Sequence, residues 1–251
     1  MSIEQRLEDG IAEVVMQHPP VNAITVADTW RLCEVFAGLA RLPELRAVIL
    51  SAEGRGFNAG IDIVEMQSAA SFEHLLGSGE ACAATFRQIY ETPVPVIAAV
   101  NDFCMGLGIG LVGSCDLIVA STRARFALPE VDNGALGCAS HLARLVPPLK
   151  LRQMVYTCEP ASAKELFECG SIYRLVEPEA LLPTAREVAR RIAAKPPAAV
   201  RFAKAALNHI DPSHLHANYR LEQGYTYQLN LMGVGGRQRD AFVRGERSVT
   251  R

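Results

Sequence analysis

The sequence predicts an α/β fold with a helical C-terminal region, and three observations lead there. Two continuous apolar runs, RAVILSA (46–52) and VPVIAAV (94–100), each enter a glycine-bearing loop and then a stretch with helical spacing. Short apolar runs bounded by turn residues are the pattern of parallel strands buried on both faces. From residue 138 onward the strand signals fade, and three helical segments close the chain.

The elements follow in order. Residues 3–16 form two short strands turning at Glu8-Asp9-Gly10, a D-G hairpin signal. HPPVNAI interrupts that pattern, and Trp30, Leu32, Val35, Phe36 and Leu39 set a helix over 25–41. The strand at 46–52 leads through EGRGFNAGID to a helix near 61–67, and a second helix covers 72–91. After the strand at 94–100 comes MGLGIGLVGSCD, a glycine-rich loop with a helix ending near 114. DLIVAS (116–121) and ARFAL (124–128) are the last strands, and Pro129-Glu130 closes the second. Helices are expected at 186–194, 198–210 and 215–232, with Pro196-Pro197 separating the first two. The division falls near residue 182, giving an α/β part over 1–182 and a helical part over 183–251.

Composition narrows the function. A net charge of −2 disfavours a nucleic-acid surface. No apolar run reaches the ~18 residues of a membrane span, and the polar, acidic start shows no secretory signal. The seven cysteines lack C-x-x-C spacing and read as reduced thiols, so a cytoplasmic location without a metal is expected.

Gly108, Gly110 and Gly113 match G-x-G-x-x-G, the dinucleotide fingerprint. A strand precedes them and Asp132 supplies the acidic residue about twenty positions on, but the next strand starts at 116, which leaves a ~30-residue βαβ unit cramped and makes a nucleotide site the weaker reading. Two other readings remain. The glycines let a helix pack tightly, or they bring backbone N–H groups close to a ligand that develops negative charge. Gly60, at the turn of FNAGID, could supply a second such donor.

GRGFNAGIDIVEM, PVPVIAAVNDFCMGLGIGL, SCDLIVASTRARFALPEV and RLV (144–146) together resemble the crotonase (enoyl-CoA hydratase/isomerase) superfamily across nearly the whole chain. The resemblance implies a ClpP/crotonase-like spiral of ββα units, a C-terminal helical region that builds homotrimers or dimers of trimers, and an acyl-CoA thioester substrate with no other cofactor. It also implies an oxyanion hole from the backbone N–H groups of Ile61 and Leu107. Ala23, Phe57, Asn58, Ala59, Gly60, Gly106 and Gly110 match positions that bind CoA or the acyl group.

One family feature is missing. The family's hydratases use two glutamates around one water; the second matches Glu130, but the first falls on Gly110. Syn-hydration needs both a base and an acid, each worth ~10²–10⁴ in rate, so ordinary hydration is not expected. His141 aligns with a glycine beside the catalytic water. It is read either as a proton relay or as a hydrogen-bonded structural residue.

The tail ANYRLEQGYTYQLNLMGVGGRQRDAFVRGER resembles a ring-opening subgroup of this family from bacterial steroid catabolism. That subgroup hydrolyses a carbon–carbon bond of a bicyclic diketone acyl-CoA left from rings C and D. The expected chemistry is a retro-Claisen hydrolysis with Glu130 as base and His141 assisting. Gly110 would open volume for the ring. Enoyl-CoA hydration or isomerisation, and non-catalytic acyl-CoA binding, are the alternatives. The tail arginines 237, 239, 244 and 247 read as a solvated face, and Tyr219, Tyr225 and Tyr227 as packing. Residues 66–90 fall where the family varies its acyl pocket, with Glu65, Glu73, His74 and Glu80 unplaced.

Overall fold

A computed structural model describes residues 2–69 and 71–246. The hairpin forms as β1 (Ser2–Glu8) and β2 (Ile11–Gln17), with left-handed Asp9 and Gly10 at the turn. Helix α1 (Val26–Leu39) begins at Thr25, whose hydroxyl accepts from the Asp28 N–H. Strands β3 (Ala47–Ala52), β4 (Val96–Val100), β6 (Leu117–Ser121) and β9 (Arg174–Val176) then extend the sheet, all parallel to β2. The order is β1-β2-β3-β4-β6-β9. Central strands β3 and β4 are buried along almost their whole length, as their unbroken apolar runs require.

A second, three-stranded sheet runs beside the first in the order β5-β7-β8, from β5 (Phe103–Met105), β7 (Arg125–Ala127) and β8 (Ala161–Ser162). Its ladder continues through single bridges, Asn58 to Cys104 and Ile24 to Ile61. Each turn of the chain therefore gives one strand to the large sheet and one extended stretch to the small one, then a helix. That repeat is the ββα spiral.

The helices of these turns are α2 (Ile63–Ser68), α3 (Phe72–Tyr90), α4 (Leu107–Gly113), α5 (Ala139–Leu142), α6 (Pro148–Thr157) and α7 (Ala163–Glu168). Helix α8 (Leu181–Ala193) lays Leu181, Ala185, Val188 and Ala189 on the face of the large sheet made by Ala47, Ile49, Ile97, Ala99 and Val119. The main core lies on the other face, around Val14, Leu32, Phe36, Leu50, Phe86 and Phe126. Helices α9 (Pro197–Ile210), α10 (Leu215–Leu231) and α11 (Val234–Val243) complete the described chain.

The sequence reading passed over β5, β8, β9, α5, α6, α7 and α11. The strands among them are two or three residues long, too short to display a period. Among the described residues, no helix is long and apolar enough to cross a membrane.

Candidate active site

The glycine-rich loop turns at Gly106 (φ +54°), directly before α4. The other loop turns at Gly60 (φ +102°), held by the Asn58 side chain: its Oδ1 accepts from the Gly60 N–H at 2.8 Å and its Nδ2 donates to the Asn22 carbonyl at 2.6 Å. In the bridge to Ile24, the Gly60 carbonyl accepts from the Ile24 N–H and the Asp62 N–H donates to the Ile24 carbonyl, both at 3.0 Å. The intervening Ile61 N–H must point the opposite way. Neither it nor the Leu107 N–H donates to a backbone carbonyl among the described residues. The two loops meet closely, since a Cβ on Gly60 would stand 4.0 Å from the Leu107 nitrogen. Two donors without a backbone partner therefore converge where these loops meet.

Glu130 enters from the turn after β7, where its own carbonyl accepts from the Ala135 N–H at 2.9 Å. Its Oε1 lies over Gly106, so a Cβ there would come within 2.8 Å of it. The residue is partly exposed, but Oε2 is buried with no hydrogen-bond partner. Burial is the main cause that pushes its pKa up to about 8, and the Glu222 charge adds to it. A carboxyl poised near neutrality is suited to taking and returning a proton.

These groups open onto one cavity, lined by Ala59, Gly60, Ile61, Gly106, Leu107 and Glu130 together with side chains from four further helices. Helices α2 and α3 supply Met66, Leu75, Ser78, Cys82 and Phe86, within the stretch where the family varies its acyl pocket. Cys138 joins from the 130–138 segment; burial raises its thiol pKa, and that of Cys82 to about 12, so both are neutral walls. Helices α10 and α11 supply Tyr219, Thr226, Asn230 and Arg239. Glu130 is the one carboxylate lining the cavity among the described residues.

Several predicted residues lie elsewhere. Ala23, Phe57, Asn58, Gly110 and His141 do not line the cavity, and Phe57, Asn58 and His141 are fully buried. Asn58 instead locks the Gly60 turn. Gly110 opens no room for a ligand ring: a Cβ there would stand 2.1 Å from the Phe86 ring, which occupies the space. Gly108 and Gly113 likewise give room to Asn58 and His141, at 3.1 and 2.6 Å from a built Cβ. The fingerprint glycines are packing glycines.

His141 sits behind the wall rather than in it. Its ring packs on Phe86 (centroids 4.6 Å apart) and edge-on to Tyr219 (5.2 Å), and both of those rings face the cavity. Nδ1 lies 3.4 Å from Ser140 Oγ, and Nε2 is buried without a partner. Burial, helped by the Arg144 charge, pushes its pKa down to about 3, so it is neutral.

Of the unplaced groups, Glu65 accepts from the Val26 N–H at 2.9 Å, with His74 4.0 Å away, and Glu80 pairs with Arg220 at 2.6 Å. None of them lines the cavity, and neither does Glu73. Tyr219 and Tyr227, read as packing, are wall residues as well. Arg239, read as solvated, also belongs to the cavity; Arg247 lies outside the described residues. Among the described residues no three His, Cys, Asp or Glu side chains could hold a metal ion.

The family model described as enoyl-CoA hydratase/isomerase matches residues 6–231. The chain is 51% identical over 235 residues to the (7aS)-7a-methyl-1,5-dioxo-2,3,5,6,7,7a-hexahydro-1H-indene-carboxyl-CoA hydrolase of Rhodococcus jostii, covering 94% of this chain and 91% of that protein. It is 50% identical over 237 residues to the hydrolase of the same name from Mycobacterium tuberculosis, covering 94% and 96%. An enoyl-CoA hydratase/isomerase from Xanthobacter autotrophicus shares the fold with a TM-score of 0.88 at 23% identity, covering 96% of this chain and 91% of the other. The chain belongs to the enoyl-CoA hydratase/isomerase family, the crotonases, and is an enzyme acting on an acyl-CoA thioester.

Proposed function

We propose that this enzyme hydrolyses a ring carbon–carbon bond of a bicyclic diketone acyl-CoA, with Glu130 as its single acid–base group. The observation that carries the reading is the lone carboxylate: Glu130 shares its cavity with two free N–H donors, and Phe86 fills the space beside Gly110, where the first of the two glutamates used for hydration would stand. The names of the two hydrolases at 50–51% identity support the substrate class.

In this scheme the thioester oxygen accepts from the N–H groups of Ile61 and Leu107. Glu130, as carboxylate, removes a proton from water as its oxygen adds to a ring ketone. The bond from that carbon to the neighbouring ring carbon breaks. Its electron pair passes to the ring carbon and is delocalised onto the thioester, where the two donors stabilise it; loss of one such donor typically costs about 10²–10³ in rate. Protonated Glu130 returns the proton to the ring system, and the former ketone leaves as a carboxylate. His141 acts from behind, holding Phe86 and Tyr219 in place.

Exposed apolar side chains on α9, Phe202, Leu207 and Ile210, support self-association as a homotrimer or a pair of trimers. The test is incubation with the bicyclic diketone CoA thioester followed by mass spectrometry. Gain of one water with loss of the ring is expected, and an unchanged mass with turnover of crotonyl-CoA overturns the reading.

A further inference from the structure

Arg239 is the cationic side chain among the described residues that line the cavity. It is half-buried on α11, and no carboxylate among those residues lies within ion-pair distance of it. Two neutral amides hold it instead: Nη1 donates to Asn230 Oδ1 at 2.9 Å and Nε to Gln67 Oε1 at 3.3 Å. Its sequence neighbour Asp240 is engaged by the amide nitrogen of Gln67. The other tail arginines differ, since Arg237 is exposed and Arg244 pairs with Glu246 at 2.9 Å.

A guanidinium carries five N–H donors in a rigid fork, of which two are used here, leaving three. Withdrawing such a charge from water without a counter-ion is costly. Burial lowers the pKa of Arg239, although the charge of neighbouring Asp240, which forms no ion pair with it, acts in the opposite direction. Acceptors fixed at two corners leave the free edge of the fork for a planar, bidentate anion.

We propose that Arg239 is the carboxylate-binding residue of the acyl pocket, receiving the carboxylate that ring opening creates at the end of the acyl group remote from the thioester. This rests on the proposed function, because that reaction makes the anion. Hydroxide adds to the ketone carbon, the bond to its ring neighbour breaks with its electron pair staying on that neighbour, which is protonated, and the new acid gives its proton to water. Before cleavage the same fork takes the ring ketone oxygen.

The test compares binding of adipyl-CoA, which carries a free terminal carboxylate, with binding of its methyl ester. Wild type binds the acid more tightly by about ten- to hundredfold, Arg239→Gln binds the two alike, and Arg239→Lys keeps part of the preference. Free CoA binds all three proteins equally. Equal affinity of wild type for acid and ester overturns the proposal. So does an equal loss for free CoA, which would make Arg239 a ligand of the CoA phosphates. This measurement needs no turnover, whereas the ring-opening reading fails only if the bicyclic thioester is left intact. With that thioester, Arg239→Gln raises KM and weakens inhibition by the opened product more than it lowers kcat.

Discussion

Glu130 Oε1 lies against Gly106 so closely that a single added carbon on Gly106 would stand 2.8 Å from it. The residue after that glycine, Leu107, carries one of the two free donors, so the proposed acid–base group and the proposed oxyanion donor are set by one contact. Ring opening needs that proximity: the group that activates water must act within reach of the thioester that takes up the charge. Gly106→Ala would push the carboxylate aside and strain a backbone at φ +54°. We expect kcat to fall by about 10²-fold or more, a misplacement effect, while free CoA still binds. Steady-state kinetics beside a CoA titration check this, and unchanged kcat refutes the shared contact.

Glu130→Gln keeps the shape and removes the proposed base. Turnover should drop by about 10²–10⁴ while the CoA thioester still binds. Product analysis decides it, because retained ring opening would sink the assigned role.

The raised pKa fixes the pH profile. Only ionised Glu130 can accept the proton, and its pKa is about 8. The rate kcat/KM should therefore climb about tenfold per pH unit towards pH 8 and level off above it. Stability runs the other way. The folded carboxyl binds its proton up to about pH 8 and the unfolded one only to about 4.5, so folding weakens as pH rises between them. The slope is at most about 1.4 kcal/mol per unit. Glu130→Gln should gain thermal stability over wild type as pH rises from 5 to 8, an increment that differential scanning calorimetry reads.

His141 behaves oppositely. Its folded pKa of about 3 lies below the ordinary 6.5, so stability is lost as pH falls through that window. His141→Ala empties a space between Phe86 and Tyr219 and should cost about 2–4 kcal/mol of stability. The rate should fall by less than for Glu130→Gln. Full stability with a rate loss as large as that of Glu130→Gln would instead place His141 on the proton path.

How much of this was legible beforehand follows from what each signal measures. Strands β3 and β4 announced themselves because burial on both faces writes an unbroken apolar run. That Ile61, Leu107 and Glu130 come together at one cavity was legible through motif position, since a close approach of backbone leaves its trace in neighbouring glycines. His141 and Gly110 were found but misplaced in space: an alignment gives order along the chain, and Phe86, from a distant helix, decides which faces the cavity. Arg239 and Tyr219 carry no local signal. Their role arises only when α10 and α11 fold back over the spiral, and an arginine near acidic residues looks solvated until its partners are seen to be amides.

The Phe86–Gly110 contact also predicts that hydration cannot be restored by one change. Gly110→Glu returns the missing carboxylate to the sequence, but its Cβ would stand 2.1 Å from the Phe86 ring. The single variant should lose stability by about 1–3 kcal/mol through overpacking. It should leave crotonyl-CoA untouched, which the conjugated absorbance reports. Gly110→Glu with Phe86→Ala removes the obstruction, yet it also frees His141 and Tyr219, which rest on that ring. The double variant should hydrate crotonyl-CoA at a low but measurable rate and lose ring-opening activity. Efficient hydration by the single variant would mean that Phe86 moves aside easily, and the lone-carboxylate argument for ring opening would lose its structural basis.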